Sequence, residues 1–256
     1  FAIQDKTGRL TPAQLKLLYS ARVDCHLTHA CEVVPDAIDA HIKDLEKVQA
    51  WFIRRSLRVG KKASAVALYT ETGLMPLRVR RFLLLLRYLE YLLNLDAHHY
   101  AHLALESSKS LYFAGKASWY GDVITASDRL PFDARSLPVL ADAKEIAVYA
   151  TEVEKMAEKW LLECLNGTKK LYLTHGRLDT VRKGKPPKEV ALKLRVYLTC
   201  PVSSYRDALA SVVFSTHKLA VERLRWVDHG RPTVARHCRL CRLCEGAVET
   251  PEHALL

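Results

Sequence analysis

The chain has 256 residues, 49% hydrophobic and 26% charged, a composition that can bury a core and excludes wholesale disorder. Lysine and arginine total 39 against 28 aspartates and glutamates, a net charge of +11, which favours polyanionic partners because phosphate neutralisation releases counterions. The longest apolar run, Phe82 to Leu86 between Arg81 and Arg87, falls far short of the ~18–20 residues of a membrane span, and no signal-peptide pattern is present.

In chain order, Thr11-Pro12 carries the cap and first-turn chemistry of a helix start, followed by Leu15, Leu18, Arg22 and Cys25 at helical spacing. A second helix is expected from Pro35, with Ile38, Ile42, Leu45, Val48 and Phe52 on one stripe and Gly60 as its terminator. Asp36 and Asp39 near its start, with Arg54, Arg55 and Arg58 at its end, complement the helix dipole. Pro76 opens a third, central helix over Leu77–Leu93, with Arg78, Arg81 and Arg87 expected on its wet side. Shorter helices are expected over 97–106 and 109–126, and a linker over 127–141, where Asp128, Pro131, Asp133, Ser136 and Pro138 cluster.

A long amphipathic helix is expected from about Ala141 to Leu165, with a turn at Asn166-Gly167-Thr168. Val181 to Lys188 reads as a basic, proline-rich loop. Further helices are expected over 188–199, 203–214 and 216–227, and Leu171 to Leu173 is the best short strand candidate. The fold class is therefore mainly α.

Seven cysteines without a secretory signal argue for a reduced, intracellular chain, nuclear or cytoplasmic, rather than a disulfide framework. Cys25, Cys31, Cys164 and Cys200 are scattered, as expected of small buried apolar side chains. Cys241-x2-Cys244 places two thiolates on one tight turn, and Thr250-Pro251-Glu252 would start a helix carrying His253 in its first turn. That is a donor set for structural zinc, whose binding supplies about 10–16 kcal/mol of folding energy in small zinc peptides. Such a site has four ligands. Either Cys238 or His237 is the fourth, or the fourth lies beyond Leu256; three sulfurs crowded onto one short loop weigh against Cys238.

Arg239-Leu240-Cys241-Arg242-Leu243-Cys244 with Val248-Glu249-Thr250-Pro251-Glu252-His253-Ala254-Leu255-Leu256 resembles the zinc knuckle at the end of non-LTR retrotransposon reverse transcriptases, in the form found in basidiomycete fungi. Upstream, Asp24 to Glu32 is similar to the segment after that family's palm. Leu45 to Gln49 with Arg54-Arg55, and Leu68 to Gly73 with Pro76-Leu77-Arg78, resemble its thumb. Leu171 to Leu178 and Leu219 to Arg225 resemble its connection. The resemblance implies a thumb-like helical region over 1–130, a helical connection over 131–230 and a truncated zinc knuckle over 231–256. It also implies that the last zinc ligand follows His253 by four residues, beyond Leu256.

The family performs RNA-directed DNA synthesis with Mg2+ held by an Asp-Asp pair in the palm. No Asp-Asp dipeptide occurs here, so no catalytic residue is expected, and fingers and palm are expected upstream of Phe1. The implied partners are an RNA/DNA template-primer and those upstream domains, with no membrane. Arg54, Arg55, Arg58, Lys61, Lys62, Arg78, Arg81 and Arg87, with Arg80 beside them, are the candidate phosphate contacts. Tyr88, Tyr91 and Tyr100 are expected to pack in the core rather than stack on bases, and Lys183, Lys185 and Lys188 to sit on a surface loop. The alternative reading is a host-adopted zinc-dependent nucleic-acid-binding protein. A cysteine hydrolase using Cys25 lacks a nucleophile turn and a geometrically suitable histidine among His26, His29 and His98.

Overall fold

The structure, a computed structural model, describes residues 10–134, 137, 141–179, 186–227 and 230–255. It is mainly helical, with one two-stranded antiparallel sheet among the described residues. Helix α1 (Pro12–Leu18) begins at the expected cap: the Thr11 side chain accepts from the Gln14 N–H while Gln14 reaches back to Thr11. A π turn, Tyr19–Val23, carries the chain into α2 (Asp24–Leu27).

Helix α3 (Asp39–Leu57) starts four residues after Pro35. The Asp36 carboxylate takes two hydrogen bonds from Arg81, at 2.8 and 2.9 Å, so it braces a neighbouring helix instead of capping its own. Ile42 and Phe52 of the expected stripe are buried, but Ile38 and Val48 are exposed; the inner face runs through Gln49 and Ile53. Gly60 does not end this helix. Arg58 does, at a left-handed φ of 55°, with the Val59 N–H reaching the Arg54 carbonyl at 3.1 Å and the Val59 side chain buried behind it.

Helix α4 (Ala65–Thr72), unforeseen from periodicity, closes on Gly73 at φ 64°. Helix α5 (Leu77–Leu93) has the expected bounds. Buried Gln49 fixes its start: its Oε1 accepts from the Leu77 N–H at 2.9 Å, while its Nε2 donates to Tyr19 Oη and the Met75 carbonyl, both at 3.0 Å. Helices α6 (Tyr100–Phe113) and α7 (Trp119–Asp128) break later than expected, because Ser118 caps α7 through the Gly121 N–H. The expected linker is partly interior: Leu130, Leu137 and Ala141 are buried.

Helix α8 (Ala143–Gly167) opens on an Asp142–Glu145 capping box. One stripe along it, Ile146, Tyr149, Val153, Ala157, Leu161 and Leu165, is buried at helical spacing. Its first four residues join Val79, Phe82, Leu86 and Val123 in one core cluster; its last two join Ile42, Ile53, Leu68, Leu77 and Phe214 in another. Both clusters draw on residues either side of 130. No described helix is long and apolar enough to cross a membrane.

Beyond α8 the chain departs from the expected helices. Leu171 to Leu173 lies in a 3-10 turn (Lys169–Thr174), and the strands are β1 (Leu178–Asp179) and β2 (Lys188–Glu189). Over 188–199 the only helical element is a 3-10 turn, Val196–Thr199, after β2. Helix α9 (Ser203–Val213) matches expectation, whereas 216–227 shortens to α10 (Ala220–Arg223). The loop lysines Lys183 and Lys185 lie outside the described residues; Lys188 is exposed on β2.

This irregular region is held by charge. Glu71 on α4 is fully buried and pairs with Arg177, with Arg195 Nε 3.7 Å from it. Arg195 also pairs with Asp179, which Lys193 reaches at 3.0 Å. The Arg195 N–H donates to the Glu71 carbonyl at 3.0 Å, and Thr72 bridges Leu194. A Cβ on Gly73 would sit 2.9 Å from backbone atoms of Lys193 and Leu194.

Breaking a buried ion pair from one side costs about 3–5 kcal/mol. Glu71→Ala is therefore expected to lower unfolding free energy by that amount in urea titration; a loss below about 1 kcal/mol would show that the pairing carries no weight. Gly73→Ala is expected to cost more than about 2 kcal/mol, joining left-handed strain to a backbone clash. Gly115→Ala, at φ 69° with nothing within 4 Å, should cost only about 1 kcal/mol.

Candidate metal centre and basic surface

Residues 239–249 form a small hairpin. Leu240 bridges Val248, the Cys241 N–H donates to the Ala247 carbonyl at 2.7 Å, and the Glu249 N–H donates to the Arg239 carbonyl at 3.0 Å. The turn between Cys241 and Glu245 closes through a 2.9 Å bond from the Glu245 N–H to the Cys241 carbonyl, with Glu245 left-handed at φ 53°. The Leu243 N–H approaches Cys241 Sγ at 3.4 Å. Backbone donation from Gly246 holds the Cys244 thiol below its ordinary range.

The following helix, α11 (Pro251–Leu255), starts where the sequence indicates. Thr250 Oγ1 accepts from the His253 N–H at 3.2 Å, which sets His253 in the first turn. Cys244 Sγ lies 3.2 Å from His253 Nε2, and the ligand atoms of Cys241, Cys244 and His253 all lie within 4.8 Å of one another. A tetrahedral zinc with Zn–S of about 2.3 Å and Zn–N of about 2.0 Å has edges of roughly 3.5–3.8 Å, so these donors fit one ion after small adjustment. Two soft thiolates and an imidazole suit zinc over oxygen-seeking cations. Cys238, exposed on a 3-10 turn (Arg236–Cys238), is outside this group, as is His237. Among the described residues the cluster closes on three ligands.

The hairpin is anchored to the helical body. Glu249 is buried; its carboxylate accepts from the Ala220 N–H at the start of α10 and from Arg242 Nε at 2.9 Å. Arg239 Nη1 donates to the Val221 carbonyl at 2.7 Å, and Tyr172 Oη donates to Glu252 at 3.1 Å.

Of the other cysteines, Cys31 is buried, and burial pushes its thiol up to about 12. Cys25, expected inside, is exposed, and Cys164 and Cys200 are half-buried. The tyrosines also divide. Tyr88 packs edge-on against Trp119, whereas Tyr91 and Tyr100 are exposed.

The arginines of α5 turn mostly inward. Arg81 is buried, bound to Asp36 and to the Leu27 carbonyl at 2.6 Å. Arg78 pairs with Asp39 at 2.7 Å and Glu46 at 3.1 Å, and Arg80 with Asp24 at 3.2 Å. Only Arg87 of that expected cluster is exposed. At the end of α3, Arg54 is half-buried and donates to the Ala63 carbonyl at 3.2 Å. Arg55 lies over the Trp51 ring, Arg58 pairs loosely with Asp207 at 3.4 Å, and Lys61 and Lys62 are exposed. Lys62 Nζ sits 4.3 Å over the Trp226 ring. Lys218, Arg223 and Trp226 thus join this basic surface; no sequence periodicity links them to residue 60.

No family model, curated protein or solved structure matches this chain.

For the metal centre, Cys244→Ser is expected to abolish the sulfur-to-metal absorption of a Co2+ complex. Cys238→Ser should leave that spectrum unchanged. Loss of the spectrum in Cys238→Ser would make Cys238 a ligand.

Proposed function

We propose that this chain is the nucleic-acid-gripping, C-terminal part of a non-LTR retrotransposon reverse transcriptase of the basidiomycete type. It would hold an RNA/DNA template-primer for a palm located elsewhere in the parent polymerase. The observation that carries this reading is the convergence of Cys241 and Cys244 of the hairpin with His253 of α11, the hairpin being docked against a basic helical body. The resemblance described above supports it, as does the surplus of positive charge.

In this reading zinc is structural, and Cys241, Cys244 and His253 hold it. Zinc would supply folding energy that a hairpin of this size cannot draw from apolar burial. Mg2+ belongs to the palm. Grip comes from Arg55, Arg58, Lys61, Lys62 and Arg87, which offer charge to phosphates without reading sequence. Arg78 and Arg81 hold α5 against α3 and the preceding loop instead.

The chain is expected to bind an RNA–DNA hybrid with an affinity that falls steeply with salt, and to polymerise nothing alone. Replacing Arg55, Lys61 and Arg87 by alanine together should reduce the slope of log affinity against log salt by about three, roughly one per phosphate contact. Arg81→Ala should instead lower stability by about 3–5 kcal/mol, since it strands Asp36. Salt-independent binding, or none at low salt, would overturn the reading.

A further inference from the structure

The turn after α3 and the segment from Ser215 to Trp226 enclose a cleft of about 400 Å3. Lys61, Lys62, His217, Lys218, Arg223 and Trp226 line it. Its walls are tied together: Lys170 Nζ donates to the Lys62 carbonyl at 2.6 Å, and Ser215 Oγ donates to the Lys170 carbonyl.

The lining's electrostatics are one-sided. Among the described residues, no ion pair engages Lys61, Lys62, Lys218 or Arg223. The single acid, Glu222, is buried and bonded to Arg225 at 3.1 Å. Trp226 is 36% exposed and supplies a flat apolar wall. His217 Nδ1 is buried with no partner, a vacant hydrogen-bonding position in the same cleft. Burial pushes the His217 pKa down, favouring the neutral ring, which can donate or accept according to its tautomer.

Cations suit phosphate, the indole suits a base, and the unsatisfied imidazole nitrogen suits a base edge or ribose hydroxyl. The volume of about 400 Å3 matches a small-ligand site and is too small to hold a duplex. An acidic peptide would use the cations but not the indole.

We infer that this cleft seats one nucleotide of an unpaired nucleic-acid strand, its phosphate between Lys218 and Arg223 and its base against Trp226. The inference rests on the nucleic-acid reading above and adds to it a second site, for single strands. Lys62 would give up its place over the indole to the base and turn to a phosphate.

The test measures binding of a labelled single-stranded oligonucleotide and a labelled RNA–DNA hybrid to the full chain, with thermal melting as the folding control. Trp226→Ala is expected to weaken single-strand binding roughly fivefold to a hundredfold, the range for one lost stack. Lys218→Ala with Arg223→Ala should reduce the single-strand salt slope by about 1.4. Trp226→Ala, which removes no charge, should keep hybrid affinity within about twofold, and both variants should melt like the parent; exposed Lys218→Ala alone should give about half the slope change if the Arg223 change disturbs α10.

Unchanged single-strand affinity in all variants, with hybrid binding intact, overturns the cleft proposal alone. Absence of both kinds of binding overturns it together with the wider reading. Equal competition by poly-glutamate would assign the cleft to acidic peptides and overturn it as well.

Discussion

The burial of Glu71 ties the two halves of this chain together. A carboxylate with no exposed surface is costly unless its oxygens are satisfied, and the partners of Glu71 come from more than a hundred residues away, Arg177 and Arg195. Helix α4 can therefore be buried only when the segment containing β1, β2 and the following 3-10 turn has docked. The backbone repeats the requirement through the Thr72–Leu194 bridge and the close approach at Gly73. Lys16 adds a third segment, donating to the Thr72 and Gly73 carbonyls at 2.9 and 3.0 Å and satisfying the end of α4 as a cation should. Because α4 directly follows the 58–64 turn, this junction also fixes where Lys61 and Lys62 stand.

Charge is sorted by the same logic. Asp24, Asp36, Asp39 and Glu46 neutralise Arg78, Arg80 and Arg81 of α5, so most of a cluster that looks like a phosphate-binding face in sequence becomes mortar between helices. Arg81 is the clearest instance: its fork meets both oxygens of Asp36, the geometry at which arginine is strongest. With these acids paired to arginines, exposed cations remain at the end of α3 and around α10, among them Lys61, Lys62, Lys218 and Arg223.

Features set by neighbouring residues were legible in the sequence. Thr11 with Gln14 caps α1 as its spacing indicates, Pro76 opens α5, and Thr250-Pro251 starts α11 so that His253 turns toward Cys244. Even the sharpest local errors have local causes. Arg58 takes the left-handed position that Gly60 seemed made for because the Val59 side chain is buried there, and the apolar period over 188–199 fails to make a helix because Lys193, Arg195 and the Arg195 N–H are engaged by Asp179 and Glu71. What no window could show was partnership across the chain: Glu71 with Arg177, Gln49 with Leu77, Lys62 with Trp226. The three candidate ligands are legible because all fall within a dozen or so residues. The cleft was missed because its walls are more than 150 residues apart.

The hairpin and the cleft share one element. Helix α10 is only Ala220–Arg223, too short to hold itself. Its first N–H is satisfied by Glu249, its Val221 carbonyl by Arg239, and the preceding Lys218 carbonyl by Arg242 at 3.1 Å. All three partners belong to the cysteine hairpin, while Arg223 on the same helix faces the cleft. Anything that orders the hairpin therefore orders α10, and with it one wall of the basic surface. A metal at Cys241, Cys244 and His253 would act on that surface through this linkage, touching nothing in the cleft itself. The hairpin's arginines, Arg239 and Arg242, are spent on backbone carbonyls and Glu249; they set the position of the cleft's charges.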